Sequence, residues 1–239
     1  MTKLSVNINK IALIRNSRGA NQPNIYKVAK DIEAFGADGI TVHPRPDERH
    51  IRYGDLVPLK ELVTTEFNVE GYPSRKFLDE VLSCTPHQCT LVPDAPGALT
   101  SDDGWDTLKN KELLTDVIAE LKEAGIRVSL FINPDNKLID GAKEVGADRI
   151  EFYTGPFSHE YYTNREAAIA PLSTSAKHCN NIDIGINAGH DLNLDNLNFF
   201  KNKVSKLLEV SIGHALVCDA LYYGLKNAVG MYQNELKRK

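Results

Sequence analysis

Titratable and cationic side chains crowd the stretch ITVHPRPDERHI, which runs from Ile40 to Ile51. Its first three residues are typical of the end of a buried strand. His43, Arg45, Arg49 and His50 then follow within eight residues. Histidine exchanges protons near neutral pH, and arginine can bind a phosphate through two parallel hydrogen bonds. The stretch therefore indicates acid–base chemistry on an anionic molecule.

Other titratable residues stand in or near the ends of predicted strands. His43 and His190, with Glu70 and Glu151, could act as general acids and bases, since burial and proximity tune their pKa values. The alternative for the two glutamates is a structural ion pair, because buried glutamates are rare unless paired. We interpret Asp47, Glu48 and Arg49 as solvated loop charges, and His87, His159 and His178 as surface or structural residues.

Two groups of residues suit phosphate binding. Arg18 stands in NSRGA, whereas Gly213 and His214 in IGHAL lead from a predicted strand directly into a helix. The unpaired N–H groups and the dipole of a helix N-terminus favour an anion. Arg45 and His50 form a second cationic group. Two such groups would suit two phosphorylated substrates, although spacing alone leaves this open.

Short β-branched segments alternate with longer amphipathic ones along the chain. The predicted strands are 4–8, 39–43, 66–70, 88–93, 127–132, 149–154, 183–188 and 208–213. Three of the helix-to-strand joints carry glycine, the usual helix stop signal. Eight units of about 30 residues, with strands that we interpret as apolar on both faces, predict an α/β fold of the (β/α)8 barrel class. An open doubly wound sheet is the alternative, but its GxGxxG fingerprint is absent.

Such a barrel gathers its chemistry at the carboxyl ends of the strands, so we expect the residues above to share one mouth. The loop 94–111, after the fourth strand, is long and polar and is predicted to be a lid. One long helix is predicted over 215–237. The whole chain, 1–239, is interpreted as a single domain.

The composition argues against several classes of protein. The formal net charge is −4, whereas proteins that bind nucleic acid or anionic membranes usually show a basic excess. The four cysteines form no CxxC pair and no zinc spacing, which suits a reducing compartment. The sequence shows no signal-peptide or membrane-spanning pattern. We therefore expect a soluble cytoplasmic protein.

Nearly the whole chain resembles the pyridoxine 5′-phosphate synthase family, through the motifs RNSRG, GADGITVHPRPDERHI, EFNVEG, AGIRVSLFI, VGADRIEFYTG, INAGHDL and SIGHAL. The resemblance implies a (β/α)8 (TIM) barrel with additional helices, assembled as an octamer, with no metal or organic cofactor. It also implies an activity in vitamin B6 biosynthesis. The family condenses 3-amino-2-oxopropyl phosphate with 1-deoxy-D-xylulose 5-phosphate to pyridoxine 5′-phosphate, phosphate and water.

The resemblance further implies roles for individual residues. His43 and Glu70 match the proton acceptors of the family. His190 matches its proton donor, and Glu151 matches the group that stabilises the transition state. The residues that match the binding site for the amino-ketone phosphate are Asn7, Arg18, Gly213 and His214. Those that match the site for deoxyxylulose phosphate are Arg45, His50 and Thr100. The loop 94–111 would close over both substrates.

The chain departs from the family pattern at three positions. Many relatives have Asp-His where this chain has Asn9 and Lys10, and glycine where it has Asp191. Asn9 can still bond a hydroxyl and Lys10 can still meet a phosphate, so all three positions stay substrate-binding candidates. A carboxylate at Asp191 would repel phosphate unless the side chain points away and the backbone N–H binds.

Three other functions remain open from the residues alone. A Schiff-base aldolase would need a lysine at a strand end, and Lys10 is the nearby candidate. A metal-dependent hydrolase would use His43, His190 and Glu151, although no HxH pair stands at a strand end. The third is a barrel that binds a sugar phosphate without turnover, or acts on a different one. Ligand binding without product would identify it.

Overall fold

The computed structural model of the chain describes residues 1–94 and 102–238. Eight parallel strands pair in chain order and the last pairs with the first, so the sheet closes into a barrel. The strands are β1 Lys3–Asn7, β2 Gly39–Val42, β3 Glu66–Gly71, β4 Gln88–Leu91, β5 Arg127–Ile132, β6 Arg149–Phe152, β7 Gly185–Gly189 and β8 Leu207–Ile212. The eight predicted strands and the (β/α)8 barrel are confirmed.

Helices connect and surround the strands. They are α1 Asn9–Asn16, α2 Ile25–Ala34, α3 Leu56–Leu62, α4 Arg75–Cys84, α5 Lys111–Glu123, α6 Asn136–Glu144, α7 Gly155–Asn181, α8 Leu197–Lys203, α9 His214–Tyr223 and α10 Leu225–Lys237. The prediction of one helix over 215–237 was wrong. Gly224 lies between α9 and α10 with φ 77° and ψ 148°, a backbone conformation that no helix contains. No helix of the described residues has the length and apolarity that crossing a bilayer requires.

The inner faces of the strands are polar, so the expectation of strands that are apolar on both faces was wrong. In β3, Phe67 and Val69 are fully buried in the apolar core between the sheet and the helices. Asn68, between them, donates to Thr41 at 3.4 Å and accepts from Thr90 at 3.0 Å across the inside of the barrel. The strand sequences alternate polar and apolar residues accordingly, which places one set inward and the other outward.

A buried ion pair fixes α1 against the segment that carries His50. Arg15 donates two hydrogen bonds of 2.9 Å to the carboxylate of Asp55, and these side chains are 4% and 7% exposed. Asp55 also accepts from the hydroxyl of Tyr26 and the backbone N–H of Arg52. Arg15 donates in addition to the backbone carbonyl of His50 at 3.0 Å. This pair therefore positions one wall of the barrel mouth.

Replacing Asp55 should destabilise the protein strongly, because Asp55→Ala leaves the Arg15 guanidinium buried without its counter-charge. We expect the free energy of unfolding to fall by about 3–5 kcal/mol, measured by urea denaturation. Asp31→Ala is the control: it breaks the exposed pair with Lys27 and should cost less than about 1 kcal/mol. Equal losses in the two variants would contradict the structural role of the buried pair.

Candidate active site

A cavity of about 750 Å³ lies at the carboxyl ends of the strands. The predicted site residues that line it are Asn7, Asn9, Lys10, His43, Arg45, His50, Glu70, Glu151, His190, Asp191, Gly213 and His214. These residues come from both ends and the middle of the chain. The closed barrel brings them around one space, because every parallel strand ends on the same side.

Two predicted residues are not placed at the cavity. Arg18 follows the end of α1, is exposed, and does not line the cavity. Thr100 and part of the predicted lid lie outside the described residues. The rear of that loop is anchored: Trp105 is buried, and its indole N–H donates to the carbonyl of Leu91 at 3.0 Å.

Sequence reasoning missed several residues of the cavity wall. Arg49, which we expected to be a solvated loop charge, is partly exposed and pairs with the exposed Asp47 at 2.7 Å, but it also lines the cavity. Ser158, at the start of α7, and Asn193, after β7, line the cavity as well. The position of Arg49 directly before His50 was the one available signal. Ser158 and Asn193 lie in loops or helix starts whose direction only the fold determines.

Asparagines of β1 and α1 position His43 and Glu70. The Nδ1 atom of His43 lies 3.9 Å from Oε2 of Glu70, and Asn7 Nδ2 donates to the same oxygen at 3.4 Å. Asn7 Oδ1 accepts the backbone N–H of Asn9, whose own Oδ1 accepts the N–H of His43 at 2.9 Å. The amide of Asn9 thus holds the backbone of His43, a bond that an aspartate oxygen could also make.

Burial shifts the pKa values of His43 and Glu70 toward their uncharged forms. Burial, followed by the positive charge of Arg45, lowers the pKa of His43 well below its usual value. Burial, followed by the negative charge of Glu151, raises the pKa of Glu70 well above its usual value. At neutral pH the imidazole of His43 is therefore uncharged and can accept a proton. Once ionised, Glu70 would be a stronger base than an exposed carboxylate.

The pKa of Glu151 shifts in the same direction as that of Glu70, whereas the pKa of His190 shifts in the direction opposite to that of His43. Burial raises the pKa of Glu151 to about 7, although His190 opposes the shift. Burial alone would lower the pKa of His190, but the hydrogen bond and charge of Asp191, with Glu151 and Asp94, raise it above the usual value. His190 can thus carry a proton where His43 cannot. Two histidines with pKa values shifted apart form a natural base and acid pair.

Cationic and donor groups occupy another wall of the cavity. Arg45 pairs with Asp94 at 2.7 Å, and both side chains are nearly buried. Burial, Arg45 and Lys10 lower the pKa of His50 to about 4, so the ring is neutral. Its Nδ1 accepts the N–H of Ile51 at 3.0 Å, which leaves Nε2 as the protonated nitrogen. His50 therefore offers an N–H donor beside two cations.

The start of α9 forms a second wall of the cavity. Gly213 immediately precedes this helix, and no described side chain caps its first N–H groups. A Cβ atom at Gly213 would lie 3.1 Å from Cβ of Asn7, so the chain passes close to the end of β1 here. Gly213 and His214 line the cavity, so the N-terminus of α9, which favours an anion, lies beside it.

The described residues contain no group of side chains that could bind a metal ion. Within residues 1–94 and 102–238, no three His, Cys, Asp or Glu side chains are grouped so that they could hold a metal ion. Lys10, the candidate for a Schiff base, lies in the first turn of α1, on the wall that also carries His50.

Solved structures share the fold at low sequence identity. The chain is similar to a tryptophan synthase structure from Mycobacterium tuberculosis, with a TM-score of 0.67, 13% identity, and coverage of 100% of this chain and 93% of that one. It is also similar to N-(5′-phosphoribosyl)anthranilate isomerase from Pyrococcus furiosus, with a TM-score of 0.63, 13% identity and full coverage of both chains. These similarities establish the barrel and nothing about chemistry.

Relatives of much higher identity span the whole chain. Pyridoxine 5′-phosphate synthase from Flavobacterium johnsoniae is 58% identical over 99% of this chain and 100% of its own length. The protein of the same name from Cytophaga hutchinsonii is 56% identical over the full length of both. The model of the family "Pyridoxal phosphate biosynthesis protein PdxJ" matches residues 4–238. The chain therefore belongs to the PdxJ family of pyridoxal phosphate biosynthesis proteins.

Proposed function

We propose that the chain condenses 3-amino-2-oxopropyl phosphate with 1-deoxy-D-xylulose 5-phosphate to pyridoxine 5′-phosphate, phosphate and water. Full-length relatives at 56–58% identity carry the name of this activity. The observation that carries the proposal is the cavity itself. It combines two histidines with opposite pKa shifts, two buried glutamates and two separate groups of anion-binding residues.

The condensation moves protons at every step. An amine attacks a ketone, the adduct loses water, an enol-like species eliminates phosphate, and the ring closes on a second carbonyl, so that two waters leave in all. His43, neutral at pH 7, accepts a proton from the attacking or enolising centre. His190, whose pKa is raised, supplies a proton to the departing water. General acid and base groups so placed each contribute about 10²- to 10⁴-fold in rate.

The two buried glutamates have distinct tasks. Oε2 of Glu70 accepts a hydrogen bond from the Asn7 amide and lies 3.9 Å from Nδ1 of His43, so Glu70 takes part in the same proton transfers. Glu151, when ionised, stabilises a cationic nitrogen of the imine intermediate electrostatically. Exclusion of water protects such intermediates, and closure of the loop 94–111 over them remains part of the proposal.

The two phosphates bind to two groups of residues, which adjoin at the end of β1. Asn7, Gly213, His214 and the first N–H groups of α9 hold the amino-ketone phosphate, which stays in the product. Arg45, His50, Asn9 and Lys10 hold deoxyxylulose phosphate, the one that loses its phosphate. Arg18 and Thr100 belong to these two sites by resemblance alone.

A turnover assay tests the function directly. Purified protein is given both substrates together and each alone, with and without a chelator, and pyridoxine 5′-phosphate and phosphate are quantified. We expect equimolar products only when both substrates are present, whatever the chelator does. Binding of one substrate by folded protein without product would instead favour a non-catalytic or different-substrate barrel.

Removing the base should abolish turnover without unfolding the protein. For His43→Ala and for Glu70→Gln we expect kcat to fall by at least about 10²-fold, since each removes a proton acceptor. Steady-state kinetics with circular dichroism as a folding check would measure this. His159→Ala, at an exposed position on α7, is the matched control and should keep full activity. Near-normal turnover in either site variant would remove that residue from the mechanism.

The ionisation of Glu151 should appear in the acidic limb of the pH profile of kcat. Because its pKa is about 7 and the ionised form is required, kcat should rise as the pH increases through about 7. Glu151→Gln should lower kcat and abolish this rise. Glu209→Gln is the control, because Glu209 is also buried with a pKa of about 7 but does not line the cavity. A rise that persists in Glu151→Gln would assign it to another group.

We also propose a homo-octamer that functions in the cytoplasm. Exposed apolar side chains lie on two adjacent helices, α1 and α9: Ile14, Leu221, Tyr222 and Tyr223. Exposed apolar patches are typical of protein–protein contacts. The four reduced cysteines support a reducing compartment.

Charging this surface should reduce the assembly. Tyr222 is 87% exposed, so Tyr222→Asp should leave the fold intact. It should lower the sedimentation coefficient, because the protein then forms smaller assemblies. Tyr162→Asp, on an exposed tyrosine of α7, is the control. Unchanged sedimentation of Tyr222→Asp would place the interface elsewhere.

A further inference from the structure

His190 and Asp191 form a direct pair at the mouth of the barrel. Nδ1 of the imidazole lies 2.8 Å from Oδ2 of the carboxylate, and each side chain is about one-third exposed. An exposed pair in this geometry adds little to stability. We therefore look for its effect on the imidazole of His190, which lines the cavity of the proposed reaction.

The backbone around the pair is held rigidly. Thr154 donates its hydroxyl to the carbonyl of Gly189 at 2.7 Å and accepts the N–H of Asp191 at 3.3 Å. Ser158, at the start of α7, donates to the carbonyl of Asp191 at 2.9 Å. His190 itself has φ 42°, the left-handed conformation that turns the chain at this point. The backbone N–H and carbonyl of Asp191 are therefore both bonded, which fixes the position from which its carboxylate reaches His190.

We propose that Asp191 is a positioning residue. Its carboxylate accepts a hydrogen bond from Nδ1–H of His190, so that the ring exchanges its proton with substrate at Nε2. A carboxylate behind a histidine fixes both the tautomer and the orientation of the ring. From the sequence we expected the Asp191 carboxylate to repel phosphate unless it points away. In the structure it points toward His190, the proposed proton donor. The inference rests on the proposed function, in which His190 is the proton donor.

Groups from several elements act on the same ring. Besides Asp191, those that face or influence it are Glu151 of β6, Asp94 after β4, His43 after β2 and Tyr153 after β6. The two carboxylates among them remain when Asp191 is changed. Neutralising Asp191 should therefore lower the pKa of His190 without removing all of its support. The limb on which activity is lost with rising pH should then move to lower pH.

Asp191→Asn tests the proposal, because the amide keeps the shape and an acceptor oxygen but loses the charge. We expect kcat to fall roughly 10-fold, part of what a well-placed acid supplies, with KM changed by less than about twofold. Asp191→Gly removes the acceptor as well and should lose more. The matched control is Asp195→Asn, which neutralises an exposed carboxylate of the same loop, bonded to Tyr162 and not to the cavity.

Nitrogen-15 NMR of the full chain with labelled histidine gives a readout independent of turnover. The His190 signals are assigned with His190→Gln, and the ring should titrate at lower pH in Asp191→Asn than in the parent chain. An unchanged pH profile and kcat in Asp191→Asn, or a loss found only in KM, would overturn the proposal. If the variant does not fold, titration of His190 in the parent chain at or below the usual histidine pKa would overturn it. Absence of product from the parent chain would instead overturn the proposed function.

Discussion

Burial of ionisable side chains inside the closed barrel is the constraint on which the site depends. Water solvates charge, so its exclusion favours neutral forms: it lowers the pKa of His43 and raises that of Glu70 and Glu151. His190 is the exception, because the carboxylate of Asp191 is bonded to its ring and raises its pKa. The same cavity therefore holds one histidine whose pKa is lowered and one whose pKa is raised, and Asp191, with Glu151 and Asp94, accounts for the raised one.

The interior of the barrel below the site is polar as well, and its buried polar and charged groups need hydrogen-bond or ion-pair partners. Deeper in the barrel Arg127 pairs with Glu66, and Arg149 lies 3.8 Å from Glu209. Such pairs keep buried charges compensated, which is the condition for burying them at all. Outside the sheet the ordinary apolar core remains, so stability and chemistry are supplied by opposite faces of the same strands.

Much of the site was visible in the sequence because its residues sit in or next to strand ends. His43, Glu70 and Glu151 follow directly from the strand pattern once a barrel is assumed. The polar inner faces could have been read from the sequence, since EFNVEG and RIEF alternate polar and apolar residues. The break at Gly224 was harder to see, because glycine is tolerated within many helices and only its positive φ ended this one.

The sequence by itself determined the order of the strands, the barrel and the identity of most residues that line its mouth. The reason is that periodicity and glycine stops are local properties of the chain. Tertiary structure decided what these residues do to one another. Hydrogen bonds that connect Asn9 to His43 or Arg15 to Asp55, and the direction in which Arg49 points, depend on distances between segments far apart in the chain. The pKa shifts depend on burial, which exists only after the barrel has closed.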